Sequence, residues 1–224
     1  MRNQRFEYYM RELNLIKRQN WIENDLYHLV AEMIKAGKNM SRLSLRDVSL
    51  RSRSPKGQIF YGLSSFPDFV ILDERFDNSD NLAGESVNIA NKNLIYGCVE
   101  VKNVDEKLLD LESIDLISEF EKAKKPGNEL NQDLGQLLGQ ILWFKKVLYT
   151  NGNIWKFYKR TSQETDNFLT DKCIEKLFED RMKNEAPDYK WYAGLNDDNL
   201  KIEKVFEFVL ESDIKKEVWE EFLN

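Results

Sequence analysis

Pro67-Asp68-Phe69-Val70-Ile71-Leu72-Asp73 and, after a polar interval, Leu94-Ile95-Tyr96-Gly97-Cys98-Val99-Glu100-Val101-Lys102 are the stretches on which the fold turns. Each apolar run is short, rich in β-branched and aromatic residues, and bounded by turn-forming sequence, which is the pattern of strands in a sheet. Side chains alternate along a strand, so Val99 and Val101 are expected on one face and Glu100 with Lys102 on the other. Asp68 opens the first run and Glu100-Val101-Lys102 closes the second. The pattern predicts two acids and a lysine held at the ends of two apolar strands.

Two carboxylates close together in a partly buried place repel, and each takes up a proton unless something positive lies between them. Mg²⁺ or Mn²⁺ suits such a pair, because these hard ions take carboxylate, carbonyl and water oxygens and use substrate phosphates for the rest of the shell. Lys102, on the face of Glu100, would hold a water or neutralise charge growing on a phosphoryl group. These groups outline a phosphodiester-hydrolysis site. Taken singly each piece has a blander reading: Asp68 closing a turn after proline, and Glu-x-Lys decorating a solvent face.

With Asp68, Glu100 and Lys102 at its acidic, acidic and basic places, the chain resembles the PD-(D/E)XK nuclease superfamily, the restriction-endonuclease-like fold. The resemblance implies an α/β (α+β) architecture, with a central mixed sheet flanked by helices. It also implies acids that bind one or two Mg²⁺ ions and a lysine that assists the attacking water. Many members add an acid from the first core helix and a glutamine from the helix after the lysine strand. Both have candidates here.

The first helix is expected over Trp21 to Ile34, ending near Gly37. Ile22, Leu26, Leu29, Val30 and Met33 make its apolar stripe. Glu23 lies about 75° from the centre of that stripe and Glu32 about 105°. Glu23 is therefore the better candidate for the metal site, its alternative being a first-turn acid that favours the helix dipole. The second helix is expected from near Asn131 through Leu148, burying Leu134, Leu137, Leu138, Ile141 and Phe144. Gln132, Gln136 and Gln140 recur every four residues beside Gly135 and Gly139. Interior glycines cost about 1 kcal/mol each relative to alanine, so something close, a strand or a backbone phosphate, is expected against them. Gln136 and Gln140 are the first choices for the site and Gln132 stays open, as does a plain solvent-facing polar face. After this helix, Tyr149-Thr150-Asn151-Gly152-Asn153-Ile154-Trp155 is similar to the strand-turn-strand of the amino-terminal nuclease domains of type I restriction subunits, with Trp155 expected in the core.

The remaining sequence bounds the possibilities. With 224 residues, 42% apolar and 12% aromatic, the chain has enough material for one sizeable α/β domain. We expect an accessory segment over 1–18, the nuclease core over 19–160 and a carboxy-terminal helical and strand extension over 161–224. The loop from Glu74 to Asn93 is expected to lie over the active edge. His28 is the only histidine, which removes histidine-built zinc sites and Ser-His-Asp triads. Walker and Rossmann glycine loops are absent from the sequence. Two cysteines, Cys98 and Cys173, set a reduced, cytoplasmic expectation, and no apolar run reaches the 18 residues of a membrane span.

Net charge is −6, so affinity for nucleic acid would rest on local charge. Arg46, Arg51, Arg53 and Lys56 before Asp68, and Lys124 and Lys125 before the glutamine helix, are candidates for a phosphate track, with a solvated face as their alternative. The function expected is a metal-dependent nuclease acting on DNA, in phage or restriction and defence biology. The alternative is a non-catalytic or partner-activated interaction module on a nuclease fold. Its partner, or a second copy in a homodimer, would engage the aromatic amino-terminal segment or the acidic tail.

Overall fold

The computed structural model describes residues 2–19, 22–37, 40, 42–51, 55–77, 89–161, 170–183, 190–195 and 200–210. Six strands form one sheet in chain order: β1 (Leu43–Asp47), β2 (Phe69–Asp73), β3 (Ile95–Val101), β4 (Lys146–Thr150), β5 (Ile154–Arg160) and β6 (Ile202–Val209). All neighbours are antiparallel except β3 and β4, which are parallel. Parallel strands need a crossover. It is made by α4 (Leu116–Lys124) and α5 (Gln132–Phe144), and the other helices are α1 (Arg2–Gln19), α2 (Glu23–Lys35), α3 (Pro55–Tyr61) and α6 (Asp171–Lys183). The architecture is a mixed sheet flanked by helices, the coarse arrangement that the resemblance implies.

Strand alternation sorts the apolar side chains into two cores. Val70, Leu72, Cys98 and Val147 join the buried residues of α5 and α6 on one face. Phe69, Val99 and Val101 join Tyr9 and Leu13 of α1 and Leu26, Leu29, Val30 and Met33 of α2 on the other. The amino-terminal helix is thus built into the core. Its Tyr9 hydroxyl donates to the Gly152 carbonyl at 2.6 Å. Gly152, at φ +84, turns β4 into β5, and a Cβ there would stand 2.9 Å from Leu13 and 3.1 Å from Leu26. Conformation and space both call for glycine. Trp155 beside it is fully buried.

Several expectations need correction. The glutamine helix ends at Phe144; Lys145 adopts φ 67, and Lys146 to Leu148 lie in β4. Its apolar spacing runs into Val147 and Leu148 because a short buried strand and a buried helical turn look alike in sequence. Ile22 is not part of the α2 stripe: it is the N-cap residue and 52% exposed. The group that stands against Gly139 is Ser64, whose Oγ lies 2.3 Å from where a Cβ would be. Lys56 belongs to a helix, α3. The polar loop is described only at its ends, where Phe76 packs near Phe60 and Ile89–Leu94 forms a 3-10 helix. α6 and β6 fall within the expected helical and strand extension over 161–224, of which residues 211–224 lie outside the described residues. Among the described residues no helix is long and apolar enough to cross a membrane.

Candidate active site

The register of β2 on β3 builds the centre. Phe69 pairs with Val99 and Val70 with Cys98. Asp68, one residue ahead, comes across from the Glu100 end of β3 but off the regular ladder: its N–H donates to the Val99 carbonyl at 3.1 Å. Like charges that meet across an antiparallel pair destabilise it. Lys102 continues β3 by donating its N–H to the Thr150 carbonyl at 2.8 Å, and alternation keeps it on the Glu100 face. All three are buried: Asp68 is 7% exposed, Glu100 3% and Lys102 9%.

Every carboxylate oxygen is held. The Val101 N–H donates to Asp68 Oδ2 at 2.6 Å, and the Tyr27 hydroxyl contacts Asp68 Oδ1. Gln136 donates to Glu100 Oε1 at 2.6 Å and Gln140 to Oε2 at 2.7 Å. Lys102 Nζ sits between Glu100 Oε1 at 3.3 Å and Asp133 Oδ1 at 3.1 Å. The glutamine register follows from the start of α5, where Asn131 Oδ1 accepts from the Leu134 N–H at 3.1 Å. Four residues per step then bring Gln136 and Gln140 to Glu100, while Gln132 is exposed.

Glu23, in the first turn of α2, reaches the centre through Tyr27, whose hydroxyl lies 3.1 Å from Glu23 Oε1. A phenol has one hydrogen. With Glu23 and Asp68 both ionised it can satisfy only one of them, so two hydrogen bonds require a proton on one carboxyl. The carboxyl pKa values agree. Burial pushes Asp68 up to about 7, against the lowering hydrogen bonds from Tyr27 and Val101. Burial first, and the Asp68 charge second, push Glu100 up to about 8. Burial also raises Glu23. For Lys102 burial acts downward, but Glu100 and Asp133 outweigh it and hold the ammonium protonated.

The oxygen donors suit a hard divalent cation. Among the described residues no three acid, histidine or cysteine side chains gather as a ready-made cage. Gln140 Oε1 is buried and has no hydrogen-bond partner among the described residues. Asp68 and Glu100 are the side chains that could hold such an ion, with the Val101 carbonyl at the strand end and Glu23 at the margin as further candidates. Two neighbours escaped sequence analysis: Tyr27, four residues after Glu23 on the same helix, and Asp133, one turn ahead of Gln136. The i,i+4 spacing could have found Tyr27.

The basic candidates are more scattered. Arg46 is exposed on β1, one residue before Asp47, which pairs with Phe69. Arg51 is exposed, its guanidinium 5.6 Å from the Phe60 ring centre. Both lie at the Asp68 end of the sheet, since the Val48 N–H donates to the Asp68 carbonyl at 2.9 Å. Arg53 lies outside the described residues, and Lys56 is described only as part of α3. Lys124 pairs with Glu121 at 2.8 Å, and Lys125 is exposed at the end of α4.

No protein-family model matches the chain, and no curated protein or solved structure matches it at a significant level.

Proposed function

We propose that this protein is a metal-dependent nuclease that hydrolyses DNA phosphodiester bonds on a restriction-endonuclease-like core, with Mg²⁺ or Mn²⁺ as its cofactor. The observation that carries the reading is the meeting of Asp68 and Glu100 where β2 runs beside β3, with Lys102, Gln136 and Gln140 converging on Glu100. A divalent ion bound there would supply a nucleophilic water at neutral pH and stabilise charge on the phosphoryl oxygens.

The protein's own groups do the rest. Asp68 and Glu100 bind the cation once deprotonated. Val101 and Tyr27 fix the Asp68 carboxylate, and the two glutamines fix Glu100, so that neither must reorient during reaction. Lys102, held protonated between Glu100 and Asp133, places a positive charge where negative charge would develop on the phosphate. Arg46 and Arg51, exposed at the same end of the sheet, favour a polyanionic substrate.

The test is a cleavage assay on single- and double-stranded DNA and RNA with Mg²⁺ and Mn²⁺, joined to calorimetric metal titration. Wild-type protein should bind the metal and cleave, and the Asp68→Ala/Glu100→Ala double variant should do neither. Equal cleavage by the two proteins, or no metal binding and no cleavage by wild type, overturns the reading. A tight macromolecular complex whose function survives the double variant would instead identify a non-catalytic interaction module.

A further inference from the structure

The end of the sheet opposite Asp68 carries a cavity of about 180 Å³ where the start of β3 meets the junction of α5 and β4; Asp73, Lys92, Tyr96, Trp143, Lys145 and Lys146 are among its lining. Three of those six side chains are lysines, in a chain whose net charge is −6.

The local charges leave an excess of cation. Asp73 is taken by Arg75, at 2.7 and 3.0 Å. Asp171 is shared between Lys145, at 2.6 Å, and Arg160. Glu175 Oε1 stands 3.6 Å from Lys92 Nζ, beyond hydrogen-bond length. Lys146 lies over the Tyr96 ring, 3.9 Å from its centre. Among the described residues Lys92, Lys145 and Lys146 therefore face two acids, Asp171 and Glu175, the first of which Arg160 also holds. The carboxyl end of α5 adds partial negative charge, which Lys145 at its C-cap offsets.

Two features mark the place as more than a solvated patch. Lys92 is buried over Trp143, 4.6 Å from the ring centre, and among the described residues its ammonium has no hydrogen-bonded acceptor. A buried ammonium in that condition is costly, and an oxyanion beside it would supply the acceptors. Lys145 adopts φ 67, ψ −31, a conformation side chains rarely adopt, at a helix end where glycine would relax the backbone. Strain retained in a non-glycine residue at a cavity wall points to a use for its side chain.

We propose that this cavity binds a phosphate-bearing anion, either inorganic phosphate or the phosphate of a mononucleotide, through Lys92, Lys145 and Lys146. Lysines are compact cations suited to phosphate, and the double charge of a phosphate matches the cationic excess better than a single carboxylate does. The site is separate from the carboxylate centre and does not rest on the nuclease reading.

The experiment is isothermal titration calorimetry of the full chain in EDTA at low salt, with inorganic phosphate in one arm and a nucleoside 5′-monophosphate in the other. Saturable binding is expected in at least one arm, and a tighter nucleotide arm would identify the organic part as a second contact. Lys92→Met, which keeps the packing over Trp143, and Lys146→Gln, at a half-buried position, should each weaken binding about tenfold, and Asp68→Asn should leave it unchanged. Absence of saturable binding by folded wild type up to about 10 mM in both arms overturns the proposal. So does unaltered affinity in Lys146→Gln, which decides the matter if Lys92→Met does not fold.

Discussion

Replacing Asp68 by asparagine should stabilise the metal-free protein at alkaline pH while abolishing its response to Mg²⁺. Raising an aspartate from 3.8 to about 7 corresponds to about 4 kcal/mol of unfavourable free energy when it is ionised in the native state. Glu100, raised to about 8, shares part of that sum, since each acid raises the other. The sign follows from proton counting. Between the unfolded values near 4 and the folded values of about 7 and 8 the native state binds more protons than the unfolded chain, so stability falls as pH rises through that window. Asparagine removes one charge and can keep both contacts: its carbonyl accepts from the Val101 N–H, and its amide donates to the Tyr27 oxygen, whose hydrogen then serves Glu23. The net gain at pH 8.5 should be about 1–3 kcal/mol after the amide's own burial, or roughly 2–4 °C in Tm for each kcal/mol. Thermal unfolding in EDTA from pH 5 to 8.5 checks it. Wild type should lose stability along that range and the variant should lose less, whereas added Mg²⁺ should raise the Tm of wild type alone. A variant less stable than wild type at pH 8.5, or a flat wild-type profile, would refute the argument.

Three further outcomes are expected. Lys102→Met should retain metal binding by calorimetry and lose about a hundredfold or more in cleavage rate, because its charge is proposed to act on the developing phosphoryl charge. Gln140→Ala should lower metal affinity about tenfold by freeing one Glu100 oxygen, with Gln136→Ala milder at the more exposed position; Gln132→Ala should change nothing in the same titration. Gly139→Ala should destabilise by about 1–3 kcal/mol in denaturant melts, because the new methyl meets Ser64 Oγ at 2.3 Å and Cβ at 2.5 Å; Ser64→Gly should recover part of the loss, and full additivity of the two would refute the clash.

The centre was legible to the extent that it depends on parity and spacing. Alternation along β3 put Glu100 and Lys102 on one face, and the four-residue repeat put Gln136 and Gln140 on one side of α5. What parity cannot supply is registry between elements. Asp68 meets Glu100 only because β2 pairs with β3 in one particular register, and Tyr27 reaches Asp68 because α2 packs on the sheet face of Phe69. The end of α5 was misread because Lys145 reverses the backbone with φ 67 where no glycine announces a stop. The lysines of the distal cavity come from the 3-10 turn Ile89–Leu94 and the α5–β4 junction, and the chain carries no local sign that these will meet.

The parallel pairing of β3 with β4 has a kinetic consequence. Asp68 and Glu100 can be brought together by β2 and β3 alone, but Gln136, Gln140 and Lys102 close over Glu100 only when the crossover through α4 and α5 returns the chain to β4. Closing so long a connection is among the slower events of folding. The acids should therefore remain hydrated through most of the folding barrier and lose their water afterwards. Their repulsion would then speed unfolding and leave the folding rate nearly untouched, so a cation bound between them, as proposed, would lengthen the lifetime of the native state more than it would ease the way to it.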